Sequence, residues 1–338
     1  MMNIKSSLAL ERTKMPKIEL LEATSLDFEA YADFQKEAFR DLLGHSGVSD
    51  SFMTPSYYRW KYHTLAGMGR IARISESGKI ISSSAMIPFL IRAGNEVFKG
   101  WQCLDVATLL QARKKGYFLS TLKTLMGSVG QKEVFFAFPN ASSIPSFMKL
   151  GCLENEIIAT WVSPFVFPGN RGFSNIKIVG TFSHQLDIFL KKQSCSRAPV
   201  LSRSVGYLDW RYVEHPNNKY TIFEYGQNED IAGFAVVRKA HAMGKDIILI
   251  MELWGSHRAV EVSLLRHITV WAAEQKEKMI VMMNSSISLV SALRALFFPV
   301  PTFLLPKRQV LVVHTNASQA RPTINKKWKV QTGDWDVF

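Results

Sequence analysis

Tyr57-Tyr58-Arg59-Trp60-Lys61-Tyr62 returns as Tyr207-Leu208-Asp209-Trp210-Arg211-Tyr212, an offset of 150 from position 57 to position 207. A block that recurs at a fixed spacing points to a duplicated architecture, and the neighbouring segments repeat with it. After each block come a polar turn and two apolar runs, Arg70–Ile74 with Ile80–Ile87 and Tyr220–Tyr225 with Ile231–Arg238. Ser77-Gly78 and Asn228-Glu229-Asp230 separate the members of each pair, so both pairs read as antiparallel hairpins. Apolar spacing then predicts helices over Phe118–Gly130 and Val260–Lys276, leading into the strands Glu133–Phe138 and Met279–Met283. Asn140-Ala141-Ser142-Ser143 precedes an amphipathic helix, as Asn284-Ser285-Ser286 does 144 residues later. Ser163–Asn175, with its prolines and glycines, is the natural connection, so the halves divide as 1–175 and 176–338.

A chain of 338 residues is long for one core, which agrees with two domains. Hydrophobic residues at 47% and charged ones at 20% are those of a globular protein rather than a disordered one. Lys and Arg outnumber Asp and Glu by 41 to 28, a field that favours anionic partners such as nucleotides, RNA or acidic headgroups. The three cysteines, Cys103, Cys152 and Cys195, form neither a C-x-x-C pair nor a zinc pattern, so no metal is expected and a reducing, cytoplasmic compartment fits. No run approaches the ~20 apolar residues of a membrane helix, although a basic surface is compatible with peripheral membrane contact. The first fourteen residues precede the patterned segment and carry no secretory-type apolar block.

Cys103-Leu-Asp-Val-Ala-Thr-Leu-Leu-Gln-Ala-Arg-Lys-Lys-Gly-Tyr-Phe-Leu-Ser120 is the segment richest in chemistry. Leu104–Leu109 reads as a strand, Gln111–Gly116 as a tight basic turn, and Tyr117 onward as a helix. Such a turn aims free backbone N–H groups at one point, and the helix dipole adds positive potential there. Gly116 removes the Cβ that would block an anion, while Arg113, Lys114 and Lys115 surround it with charge.

Arg113-Lys-Lys-Gly116-Tyr-Phe resembles the pyrophosphate loop of the GNAT superfamily of acetyltransferases. Phe138-Pro-Asn-Ala-Ser-Ser143 and Phe147-Met-Lys-Leu-Gly-Cys152 resemble the next strand and helix of that fold. Trp60-Lys-Tyr62 and its repeat resemble bacterial tandem acetyltransferases, some linked to polysaccharide biosynthesis. The resemblance implies an α/β fold of two tandem GNAT-like domains, each a mostly antiparallel mixed sheet flanked by helices. It implies acetyl-CoA or another acyl-CoA as cofactor, held by Gln111, Arg113, Lys114, Lys115, Gly116, Tyr117 and Phe118. Val106, Ala107 and Thr108 would offer backbone groups to the pantetheine. Phe118 departs from the small residue usual at its place.

The second copy's equivalent stretch, Met251-Glu-Leu-Trp-Gly-Ser-His-Arg-Ala-Val-Glu261, lacks the Arg-x-x-Gly turn, so its anion site should be degenerate. Acyl transfer to an amine needs a group that takes the amine proton. Asp105, on the strand before the loop, is the first candidate, against the reading of an ordinary ion-paired carboxylate. Asn140 and Ser142 are candidates for contacting substrate, against helix capping. His63 and His215 follow the repeated blocks as further candidate bases. Trp60 and Trp210 could stack on a sugar or a base, but their repetition at the same place favours core residues supporting the hairpins. The function expected is an acyl-CoA-dependent N-acyltransferase acting on a small amine such as an amino sugar or sugar nucleotide. A Fem-like aminoacyl-tRNA-dependent transferase is the alternative, motivated by the positive charge but lacking a helical arm or dense basic tract. A non-catalytic tandem binding module is the third reading.

Overall fold

A computed structural model describes residues 16–335, apart from 47–49, 165–174, 194–197, 228–229, 243, 306–308 and 317–320. Most of the expected connection 163–175, part of the turn at Asn228, Cys195 and the first fourteen residues lie outside the described residues.

The first hairpin forms at Ser77-Gly78, where φ of 48° and 81° put both residues in the left-handed region that a tight two-residue turn requires. In the first half the strands are β1 (Ile18–Glu22), β2 (Arg70–Glu76), β3 (Lys79–Ala93), β4 (Glu96–Thr108), β5 (Val134–Ala137) and β6 (Leu153–Ile157). β7 (Thr160–Ser163) is the last strand of the first half, and the second holds β8 (Ile176–Val179), β9 (Thr221–Gln227), β10 (Asp230–Ala242), β11 (Lys245–Gly255), β12 (Ile280–Met283), β13 (Phe298–Pro299) and β14 (Val310–Thr315). The main helices are α1 (Phe28–Ser46), α2 (Pro55–Tyr62), α3 (Tyr117–Gly127), α4 (Ile144–Lys149), α5 (Gln185–Gln193), α6 (Val205–Leu208), α7 (Arg258–Glu274) and α8 (Leu289–Arg294). Both repeated aromatic blocks are therefore helical, the second unwinding into a π-turn over Asp209–Val213.

The sheets are mixed and ordered alike, β1-β2-β3-β4-β5-β14-β6 and β8-β9-β10-β11-β12-β7-β13. Neighbours pair antiparallel except β4 with β5 and β11 with β12, which run parallel. The architecture is thus the tandem mixed α/β arrangement expected. The repeat and the sheets divide the chain differently, however. β7 crosses into the second sheet between β12 and β13, and β14 returns to the first between β5 and β6. Each sheet is completed by a strand of the other half.

Three cores follow. One holds α3 and α4 on the outer face of the first sheet through Leu122, Leu125 and Phe147. Another holds α7 and α8 on the outer face of the second through Leu264, Ile268 and Ala292. The largest lies between the sheets and mixes residues of both halves, including Tyr31, Tyr62, Phe136, Leu208, Trp210 and Trp328. Burying aromatic surface from both halves in one core ties them together through the hydrophobic effect. At its centre Trp60 and Trp210 stack 5.1 Å apart, and each indole N–H donates to the other's backbone carbonyl, at 3.0 and 3.3 Å. Both tryptophans belong to the core as expected, but they pair with each other across the junction instead of supporting separate hairpins.

Candidate functional site

β4 and β5 pair in parallel from Gly100 with Val134 to Cys103 with Ala137, and β4 then continues to Thr108 without that neighbour. The chain turns through a 3-10 segment, Leu110–Ala112, and enters α3 at Gly116. Gly116 has φ of 78°, a conformation that suits glycine, and an added Cβ would meet nothing within 4 Å, so the space before α3 is open. Ser120 N bonds Gly116 O at 3.1 Å as the helix begins, leaving the preceding N–H groups pointing into that space. Arg113 is turned back, its Nε donating to Thr108 O at 3.2 Å, and so pins the turn to β4. Lys115 lies over the Tyr117 ring at 5.8 Å, while Gln111 and Lys114 are exposed on the turn. Phe118 packs edge-on against Phe147 at 6.4 Å beside the outer core. Its bulk is directed into packing. Val106 and Thr108 are half-buried and Ala107 is buried, with Ala107 and Thr108 paired to Ser83 and Ser82 of β3.

Asp105 sits at a bulge of β4 with φ of 48°. The extra residue turns its side chain out of the strand's alternation, as bulges beside functional sites commonly do. Lys61 Nζ lies 2.8 Å from Oδ1 and the Tyr62 hydroxyl 2.8 Å from Oδ2. The Tyr62 hydroxyl is also 2.8 Å from that of Tyr31; having one proton, it donates to the carboxylate and accepts from Tyr31. Gln35 Nε2 braces Tyr31 at 2.8 Å and the Asp105 carbonyl at 3.2 Å. Burial, reinforced by the Asp105 charge, holds the Tyr31, Tyr58 and Tyr62 hydroxyls well above the usual phenol range, so they remain neutral donors. The lysine and tyrosine come from α2, the repeated block, which sequence reading treated only as packing.

The remaining candidates divide. Asn140 Oδ1 accepts from Ser142 N, Ser143 N and Ser143 Oγ, each at 3.1 Å. Asn284 does the same in the second copy, from Ser286 N at 2.7 Å and Ile287 N at 3.0 Å. Asn140 and Ser142 thus build an exposed turn after β5. His215 is buried against Trp60, ring centres 4.3 Å apart, and takes hydrogen bonds on Nδ1 from Asn217 N and Asn218 N, both at 3.1 Å. Burial first, then Arg211, Arg238 and Lys61, push His215 down to about 3. His63 ends α2 beside the Phe28 ring. Cys103 and Cys152 are buried free thiols; burial pushes the first up and the second up to about 12, which disfavours a thiolate. Among the described residues no cluster could hold a metal, and no helix is long and apolar enough to cross a membrane.

The same wedge in the second copy lies between β11 and β12, paired from Ile248 with Ile280 to Ile250 with Met282. Past that point the chain's own tail enters it. Leu253 N donates to Gln331 Oε1 at 2.7 Å and Met283 N to Thr332 Oγ1 at 2.9 Å. Ser285 N bonds Val330 O at 2.9 Å, and Val330 N returns to Ser285 Oγ at 2.8 Å. Glu252 stands next to the bulge at Met251, the place corresponding to Asp105, and Tyr212 donates to it at 2.7 Å as Tyr62 does to Asp105. Here the carboxylate is fully buried and bound by Arg203, Nη2 to Oε1 at 2.8 Å, and Arg203 also grips Asp334 of the tail. Gly333 passes so close that a Cβ would collide with the Tyr212 hydroxyl and come within 2.5 Å of Glu252 Oε1. Beyond the second wedge the tail leans on the first half: Gln102 Nε2 donates to Asp334 O at 2.9 Å, and Trp335 packs on Phe138 at 6.0 Å. Sequence reading missed this plug, whose only local signal is a glycine among polar residues.

Residues 19–153 match the family model described as acetyltransferase (GNAT) domain. No curated protein matches the chain in sequence. Among solved structures, a GCN5-related N-acetyltransferase from Anabaena variabilis superposes with a TM-score of 0.63 at 11% identity, covering 89% of this chain and 73% of that one. A tandem GNAT protein from the clavulanic acid biosynthesis pathway gives 0.56 at 11% identity, covering 89% and 99%. Saccharomyces cerevisiae N-myristoyltransferase with bound myristoyl-CoA gives 0.58 at 9% identity, covering 88% and 82%. The match over residues 19–153 and the superpositions over most of the chain show the GNAT fold in its tandem arrangement.

Proposed function

We propose that this protein is an acyl-CoA-dependent N-acyltransferase with one working site, in the first copy, acting on a small amine of the amino sugar or sugar nucleotide class. The observation that carries it is the contrast of the wedges: β4 keeps a free edge beside an open helix N-terminus, whereas the corresponding edge of β11 bonds the tail. An acyl-CoA fits the first site by its charge and shape. Its pyrophosphate would meet the N–H groups at Gly116, Tyr117 and Phe118, with Lys114 and Lys115 beside them. Its pantetheine would lie along Val106, Ala107 and Thr108, and acetyl-CoA is the simplest donor of the class. Bound there, the thioester supplies an acyl group that an amine can accept.

The chain's own residues then have three tasks. The N–H groups of β4 past its bulge polarise the acyl carbonyl as negative charge develops on it. Asp105, oriented by Lys61 and Tyr62, faces the acceptor and takes up the proton that the amine nitrogen loses as its bond to the acyl carbon forms. Arg211 and Trp335 border the acceptor side from the second half, with Arg211 Nη2 holding Trp335 O at 2.9 Å. Water closes the proton balance at the departing thiolate. Asn140 and Ser142 shape the mouth of the wedge through their turn.

The test is release of free thiol from acetyl-CoA in the presence of amino sugars, their nucleotide conjugates and other small amines. Turnover with at least one amine, lost in Asp105→Asn and retained in Glu252→Gln, is expected. No thiol release with any amine, while acetyl-CoA binds, would leave a binding module and overturn the catalytic reading.

A further inference from the structure

The second copy carries an apolar edge that extends from a helix through the outermost strand into the turn beyond it. On α8, Leu289, Val290 and Leu293 are each more than 40% exposed, while Ser291 and Ala292 face the core. β13 follows as the outermost strand of its sheet, with Phe298 partly exposed, and leads into a 3-10 turn where Phe303 is 83% and Leu304 62% exposed. In the first copy the matching helix α4 instead packs inward, with Phe147 buried and Ile144 and Met148 against the outer core. The outward apolar face of the helix therefore belongs to this copy, although the first copy's outermost strand β6 also exposes Leu153 and Ile157.

Charge identifies what the edge suits. Residues 278–308, which span α8, β13 and the turn, contain four Lys and Arg and no Asp or Glu. Arg266 on α7 donates to Arg294 O through Nε at 3.2 Å and Nη2 at 2.9 Å, setting a guanidinium at the end of α8 beside the apolar face. In sequence, Lys307-Arg308 follows closely on Phe303-Leu304. Apolar side chains rimmed by cations complement the interface of an anionic bilayer, where the rings and leucines enter the acyl boundary and the cations meet headgroups. A second copy of this chain would bring cations against cations.

We propose that the edge formed by α8, β13 and the Phe303-Leu304 turn docks on an anionic lipid bilayer. The experiment is co-sedimentation of the full chain with phosphatidylcholine vesicles, with and without phosphatidylserine. Wild type is expected to bind the anionic vesicles and to lose binding in high salt, as screening of surface charge requires. Phe303→Asp combined with Leu304→Asp should weaken that binding by about tenfold or more, since apolar insertion and headgroup attraction act together. Both residues are exposed, and an unchanged thermal melt would show that the variant folds. Equal binding to both vesicle types, or an undiminished bound fraction in the double variant, would overturn the proposal. So would a wild type that fails to sediment with vesicles yet self-associates through these residues in analytical ultracentrifugation.

Discussion

The two copies present the same wedge in two states. In the first, β4 ends beside an open, basic helix N-terminus, and its bulge carboxylate is held by one lysine and one tyrosine near the surface. In the second, the corresponding carboxylate is sealed beneath a tail that supplies its own hydrogen-bond partners to the strand edges. Free strand edges in a protein interior need partners, because an unpaired buried N–H costs about as much as a lost hydrogen bond. The two copies meet that requirement differently: one leaves the edge open, the other satisfies it within the chain. The same geometry thus occurs once as an open wedge and once filled by the tail.

The largest effect should come from removing Arg203, which neutralises both Glu252 and Asp334. Arg203→Met leaves two buried carboxylates facing each other, and unfolding by urea should show a loss of about 3–5 kcal/mol. Lys61→Met removes the matching cation of the first copy, where Asp105 is 14% exposed and keeps Tyr62; the loss should be smaller, about 1–3 kcal/mol. Equal losses would mean that the two carboxylates are equally enclosed.

The junction between the copies should give the next effect, through pH. His215 titrates near 3 when folded, from burial and the charges of Arg211, Arg238 and Lys61. An unfolded histidine titrates near 6.5. Between those values the unfolded chain binds a proton that the folded chain does not, so stability is complete above pH ~6.5 and falls as pH drops toward 3, by on the order of 3 kcal/mol. Denaturation curves of His215→Gln should show a flatter dependence across that window. An unchanged slope would mean that His215 is not neutral in the fold.

Local patterns in the sequence carried much of this. The hairpins, α3, α7, the Gly116 turn and the Asn140 and Asn284 turns all follow from contiguous residues whose periodicity or turn chemistry is visible. The exchange of β7 and β14 does not, because a short apolar strand pairs equally well with either sheet and only three-dimensional closure decides. The tail was illegible for a related reason: Gln331, Thr332 and Asp334 look like surface residues until Leu253 and Met283 are known to offer them buried N–H groups. Arg203 was passed over because arginines are rarely buried without a partner, and its partners lie 49 and 131 residues away. The role of α2 was half legible. Its tryptophan reads as packing, but that Lys61 and Tyr62 reach Asp105 depends on the bulge.

The most discriminating change concerns the cofactor. Isothermal titration with acetyl-CoA should give one site per chain. Lys115→Glu reverses a charge beside the open helix N-terminus and should weaken binding by about 1.5–3 kcal/mol, tenfold or more. Arg258→Glu, at the first position of α7, should leave affinity within about twofold, because no glycine turn there aims N–H groups at an anion. Two sites per chain, equal losses in the two variants, or a loss confined to Arg258→Glu would contradict the assignment of the cofactor to the first wedge.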